Sequence, residues 1–92
     1  MQLYVVTYDI PNDRRRKKVS DLLEGYGQRV QYSVFECWLQ QHQYQDLKRR
    51  LQSRLCLQED HIRFYPLTAH TLPRVETWGG PEVVSPPGSF IV

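Results

Sequence analysis

The chain has 92 residues, enough for one domain and too few to build a second core. Its 40% hydrophobic and 24% charged residues lie near globular averages, which excludes a fibrous or disordered chain, and no apolar run reaches the roughly 18–20 residues needed to cross a bilayer. The formal charge is only +2, yet all twelve Lys and Arg fall within residues 1–75 beside eight carboxylates, and the stretch from Glu76 onward has two carboxylates and no base. The positive charge therefore belongs to the body of the domain. Two cysteines, Cys37 and Cys56, are too few for a disulfide framework and no secretory leader opens the chain, so a cytoplasmic protein is expected. A domain this small buries a modest share of its surface, and dimerisation would stabilise it.

Gln2–Tyr8 is apolar on both alternating faces and rich in β-branched and aromatic residues, which predicts a central strand covered on both sides. Pro11, Asn12 and Asp13 supply turn and N-cap chemistry. Val19, Leu22, Leu23 and Tyr26 then recur at the spacing of an amphipathic helix, which Gly25 and Gly27 end. Arg29–Leu39 has strand composition over more residues than one strand usually takes, so it reads as two short strands or a bent hairpin turning near Ser33. Tyr44, Leu47, Leu51 and Leu55 mark a second helix, with Lys48, Arg49, Arg50 and Arg54 on its outer face. His61–Leu67 alternates Ile62 and Phe64 against Arg63 and Tyr65, a fourth strand.

The order strand, helix, strand, strand, helix, strand predicts an α+β, ferredoxin-like βαββαβ sandwich with an antiparallel sheet, both helices on one face and the other face open. Residues 1–75 make this domain. The tail, residues 76–92, is broken by Gly79–Gly80 and Pro86–Pro87 and offers two apolar pieces, Val83–Val84 and Phe90–Val92, expected to add edge strands to a second subunit's sheet.

Asp9 is the first charged residue after the opening strand, where the chain leaves the sheet, and Asp13 follows beside five consecutive bases, Arg14, Arg15, Arg16, Lys17 and Lys18. Cations in the first turn of a helix oppose its macrodipole, so local stability gives no reason for them, whereas an anionic ligand does. A carboxylate holding Mg²⁺ beside guanidinium groups suits phosphodiester cleavage, and Mg²⁺ accepts one or two carboxylates with water and phosphate, so two copies of Asp9 meeting at a two-fold axis could complete one site. The plainer readings stand beside this one. Asp9 can cap a turn, Arg14–Lys18 and Lys48, Arg49 and Arg50 can be solvated helix positions, and Tyr8, Tyr32, Phe35 and Trp38 can be core or interface aromatics. Cys37–His42 and Cys56–His61 do not match zinc-ligand spacings, and neither a Gly-x-Ser-x-Gly elbow, a Walker loop nor a Gly-x-Gly-x-x-Gly turn occurs.

The opening YVVTYDIPNDRRRKKV (Tyr4–Val19) and the later RVQYSVFECWL (Arg29–Leu39) closely resemble the small CRISPR-associated Cas2 proteins, the endoribonuclease-like partners of the spacer integrase. The similarity covers residues 1–67 well and the tail loosely. It implies a ferredoxin-like homodimer with Mg²⁺, or Mn²⁺, held where the strand-end aspartates approach, and metal-dependent cutting of single-stranded RNA or of DNA. By motif, Asp9 would be the metal ligand and catalytic carboxylate, Tyr8 and Phe35 would shape the site, and Arg16, Lys18 and Arg29 would assist. Lys18, a point charge, stands where some relatives carry the bidentate Arg. Arg14, Arg15, Lys17, Lys48, Arg49 and Arg50 would add nucleic-acid-binding surface. The family also implies a second role, in which the dimer sits between two integrase dimers and holds double-stranded DNA without cutting it. A toxin-type messenger-RNA interferase shares the small size and a related fold. An RNA-recognition module would need a Lys/Arg-Gly-Phe/Tyr-Gly/Ala-Phe string, which is absent.

Overall fold

A computed structural model describes residues 1–86 and arranges them as β1 (Gln2–Asp9), α1 (Asp13–Glu24), β2 (Gln28–Gln31), β3 (Val34–Leu39), α2 (Gln41–Gln52) and β4 (His61–Leu67), followed by a turn of 3-10 helix at Leu72–Arg74. The four strands pair antiparallel in the order β2-β3-β1-β4, the ferredoxin-like architecture that the order of elements predicts.

Side chains alternate across each strand, and the two faces of β1 have different fates. Tyr4, Val6 and Tyr8, with Ile10 just past the strand, are buried together with Phe35, Cys37 and Leu39 of β3, Val19 and Leu23 of α1, and Leu47 and Leu51 of α2. Tyr44 stacks on Tyr4 at 4.0 Å between ring centroids and meets Phe64 edge-on at 5.7 Å, which seats α2 over β1 and β4. On the other face Leu3 is buried, Val5 and Thr7 are half-buried and Asp9 is exposed. The expectation of a strand enclosed on both sides is therefore corrected: two helices cover one face of a four-stranded sheet, and the opposite face thins out toward the end of β1.

Asn12 caps α1, its side chain accepting the Arg15 N–H at 2.9 Å, and the Gly25 N–H closes the helix on the Leu22 carbonyl at 3.1 Å. Gly27 then passes so close to β3 that a Cβ there would lie 2.5 Å from Cys37 Sγ and 2.8 Å from its Cα. The hairpin turns at Tyr32–Ser33, as expected, and the Ser33 carbonyl accepts the Tyr8 N–H at 3.1 Å, tying the turn to the end of β1. Helix α2 stops at Gln52, earlier than its apolar stripe suggests. Ser53 Oγ donates to the Arg50 carbonyl at 2.8 Å and ends the helix, while Leu55 still packs on the core from the following turn.

Beyond the 3-10 turn, the described tail residues form no strand within the protomer. Pro81 and Pro86 remove ladder donors on either side of Val83–Val84. This segment lies against the sheet near β2 and β3, where Trp38 Nε1 donates to the Val84 carbonyl at 2.7 Å. Glu36 lines the depressions beneath it, and burial pushes its carboxyl above the usual range. Phe90–Val92, the other expected edge piece, lies outside the described residues.

Candidate active site

Asp9 ends β1 with its side chain exposed, directly opposite His61, the first residue of β4, in the antiparallel register. By alternation it shares the open face with Thr7, and it lines a shallow depression with Thr7, Tyr8, His61, Ile62 and Arg63. None of the ion pairs among the described residues involves Asp9.

Tyr8 points the other way and begins a second cluster on the helix side of the same strand end. Its ring lies 6.4 Å from Phe35, and the Arg29 guanidinium sits over the Phe35 ring at 5.2 Å from the centroid. Arg29 Nη1 donates to the Tyr32 carbonyl at 3.0 Å and the side chain pairs with Glu24 at 3.6 Å. Arg16 Nη1 donates to the Ile10 carbonyl at 2.9 Å, and its other arm pairs with Asp13. Burial, partly offset by the Arg29 charge, pushes the Tyr8 phenol up, so it stays protonated at neutral pH. Tyr8, Asp13, Arg16, Lys17, Ser20, Arg29 and Tyr32 surround one depression, which meets the Asp9 depression at Tyr8. Four of the sequence-predicted residues, Tyr8, Arg16, Arg29 and Phe35, are thus brought together, while Asp9 sits on the opposite side of the strand end.

The run Arg14–Lys18 is not one continuous patch, because a helix turns successive residues about 100° apart. Arg15 is committed inward: its Nε donates to Asp60 at 2.9 Å, and its Nη2 donates to Asp60 at 3.1 Å and to Glu59 at 3.0 Å. Lys17 pairs with Asp21 at 3.0 Å one turn on. Arg14 and Lys18 are exposed and enter none of the ion pairs among the described residues. On α2, Lys48 lies over the Tyr44 ring at 4.2 Å, and Arg49 and Arg50 both pair with Asp46, whose pKa is held down first by the Tyr26 hydroxyl at 2.7 Å and then by these guanidiniums. Several bases of α1 and α2 are therefore paired with carboxylates of the same chain.

Sequence reasoning did not set His61 and Arg63 beside Asp9. The signal was present in the alternation of β4, which puts both outward, but only the strand register brings them to Asp9. The donor set also bears on the metal. Among the described residues no three His, Cys, Asp or Glu side chains are grouped to hold an ion. The exposed Asp9 carboxylate fits Mg²⁺ in part, since that ion keeps several waters and takes few protein ligands, and further oxygen ligands would come from water, from a carboxylate of another copy or from substrate phosphate.

Fold and site together define a small ferredoxin-like protein with a solvent-facing carboxylate at the end of its first strand, and among the described residues no helix is long and apolar enough to cross a membrane. A family model described as CRISPR associated protein Cas2 matches residues 1–75, and the chain belongs to that family. It is 60% identical over 92 residues, the full length of both chains, to the CRISPR-associated endoribonuclease Cas2 3 of Synechocystis sp.. The crystal structure of Streptococcus pyogenes Cas2 at pH 6.5 superposes with a TM-score of 0.74 at 40% identity, over 84% of this chain and 99% of that one. A chain from a partial Cas6-RT-Cas1–Cas2 complex superposes with a TM-score of 0.81 at 30% identity, over 100% of both.

Proposed function

We propose that the chain is a metal-dependent endonuclease of CRISPR spacer acquisition. It works as a homodimer in which Asp9 from each copy holds a divalent cation, Mg²⁺ or Mn²⁺, and it cuts phosphodiester bonds in single-stranded RNA, with DNA as a further substrate. The carrying observation is the exposed Asp9 carboxylate, outside every ion pair among the described residues, in a chain whose relatives bear the name endoribonuclease. A bound cation supplies phosphoryl polarisation and a more acidic water. The chain's own residues do the rest. Arg16 and Arg29, at the helix-side depression, take phosphate oxygens flanking the cut, and Tyr8, buried beside Phe35 with its hydroxyl toward the Tyr32 carbonyl, shapes that depression.

The test is cleavage of labelled single-stranded RNA and duplex DNA by wild type and Asp9→Asn, with Mg²⁺ and with chelator. Cleavage should fall at least about 100-fold in the variant, equivalent to about 2.7 kcal/mol of transition-state stabilisation, and vanish with chelator. Retained, metal-independent cleavage by Asp9→Asn removes the site from the chemistry. A second reading, a duplex-holding adaptor between integrase dimers, is supported by the full-length likeness to a chain of a Cas1–Cas2 complex. Integrase co-purification with Asp9→Asn at wild-type yield, together with negligible wild-type cleavage, would favour it.

A further inference from the structure

The pairing of Asp9 with His61 at the open end of the sheet points beyond a carboxylate-only site. We infer that His61 is a ligand to the same cation, so that each protomer presents a carboxylate and an imidazole and the site selects transition-metal ions over Mg²⁺. This rests on the Asp9 reading above.

Directly opposed residues of antiparallel strands lie on one face with Cβ atoms about 4.5–5.5 Å apart, a reach at which an Asp oxygen and an imidazole nitrogen can meet one ion. Asp9 and His61 are such a pair, both are exposed, and both line the same depression. Their positions are fixed by the ladder. Asp9 closes β1 and His61 opens β4, with β-paired neighbours Tyr8 and Ile62 behind them, so the two donors stand on a sheet and not on a loop. The residue before His61 is Asp60, whose buried carboxylate accepts the Cys56 N–H at 2.8 Å and two Arg15 donors, so the chain entering β4 is anchored immediately before the imidazole. Arg63 occupies the next outward position and bonds the Tyr65 hydroxyl at 3.0 Å, keeping its cation along the strand.

Imidazole is a poor partner for Mg²⁺, which prefers oxygen and keeps its waters, and a better one for later divalent ions, whose affinity for mixed nitrogen and oxygen sites rises from Mn²⁺ through Co²⁺ to Ni²⁺. An Asp-His pair should therefore bind Co²⁺ and Mn²⁺ more tightly than Mg²⁺, and two copies facing each other would offer two carboxylates and two imidazoles.

The experiment is calorimetric titration of untagged full-length wild type, His61→Ala, His61→Gln and Asp9→Asn with CoCl₂ and separately with MgCl₂. Visible absorption of the Co²⁺ form reports nitrogen ligation. Both His61 variants should lose at least about tenfold in Co²⁺ affinity, with a changed Co²⁺ spectrum, and less than about threefold in Mg²⁺ affinity. Asp9→Asn should weaken both ions, which separates this site from the exposed His42 and His70. Unchanged Co²⁺ affinity and spectrum in both His61 variants, with Mg²⁺ binding lost in Asp9→Asn, overturns the imidazole ligand and leaves the Asp9 reading standing. Wild-type affinities for both ions in Asp9→Asn overturn the two together.

Discussion

The Asp60 carboxylate engages Arg15 of the basic helix end from inside the fold, and its removal has a calculable consequence. Its side chain is 0% exposed, accepts Arg15 Nε at 2.9 Å and Nη2 at 3.1 Å, and accepts the Cys56 N–H at 2.8 Å. Asp60→Asn keeps the shape but removes the charge and turns one acceptor into a donor facing Arg15. Hydrogen bonds to charged groups contribute about 1.5–3 kcal/mol, and leaving a buried charge alone costs about 3–5 kcal/mol. Arg15 keeps Glu59 at 3.0 Å and is 25% exposed, so the cost stays below that of a lone buried charge and near the upper end of the hydrogen-bond figure, about 2–3 kcal/mol. For a chain this size that lowers Tm by about 10–20 °C.

The pH dependence follows from the same contacts. Hydrogen bonding to Arg15, against the cost of burial, holds the Asp60 pKa below its usual value. A depressed folded-state pKa stabilises fully above the unfolded value of about 3.9, and that stability is lost as pH falls through the folded value. The gap between wild type and Asp60→Asn should therefore be constant near neutrality and shrink below about pH 4. Thermal melts by circular dichroism from pH 7 to pH 3, at one protein concentration because association also shifts Tm, measure it. Equal melting at pH 7, or a gap that does not change with acid, refutes the reasoning. Arg15→Gln should likewise lower Tm while leaving the salt dependence of RNA binding untouched, since its donors are already taken by Asp60 and Glu59.

Arg14→Ala combined with Lys18→Ala should do the reverse, leaving Tm nearly unchanged while reducing the log–log salt slope of RNA binding by about 0.7 per lost contact, read by fluorescence anisotropy across a salt series. An unaltered slope would remove both cations from the binding surface. Gly27→Ala forces a methyl into Cys37 and the β3 backbone and should cost about 1–3 kcal/mol in urea denaturation, and a variant as stable as wild type would show that β2 and β3 can separate at little cost. Trp38→Phe deletes the 2.7 Å bond to the Val84 carbonyl, worth about 0.5–1.5 kcal/mol, so cleavage within residues 75–86 by a nonspecific protease should quicken about two- to tenfold; an unchanged rate would mean that this bond does not hold the segment down.

The elements were legible because their signals are local. The alternation in His61–Leu67 and the stripe through Val19, Leu22 and Leu23 are properties of neighbouring residues, and the order of elements then restricts the sheet to very few topologies. The end of β1, with Asp9 as the last strand residue, was marked by the first charge after an apolar run. What the chain could not reveal by itself was which distant groups meet. Arg15 reads as one of five equivalent bases until folding brings it to Asp60, 45 residues away. Asp9 and Tyr8 are adjacent in sequence, yet the two-residue period of a strand sends one to His61 on the open face and the other to Phe35 beneath the helices. Periodicity tells which way a side chain points, but a partner is chosen only when strand register and helix docking close the fold, and at this site the partner determines whether a charge stays open to solvent or holds the protein together.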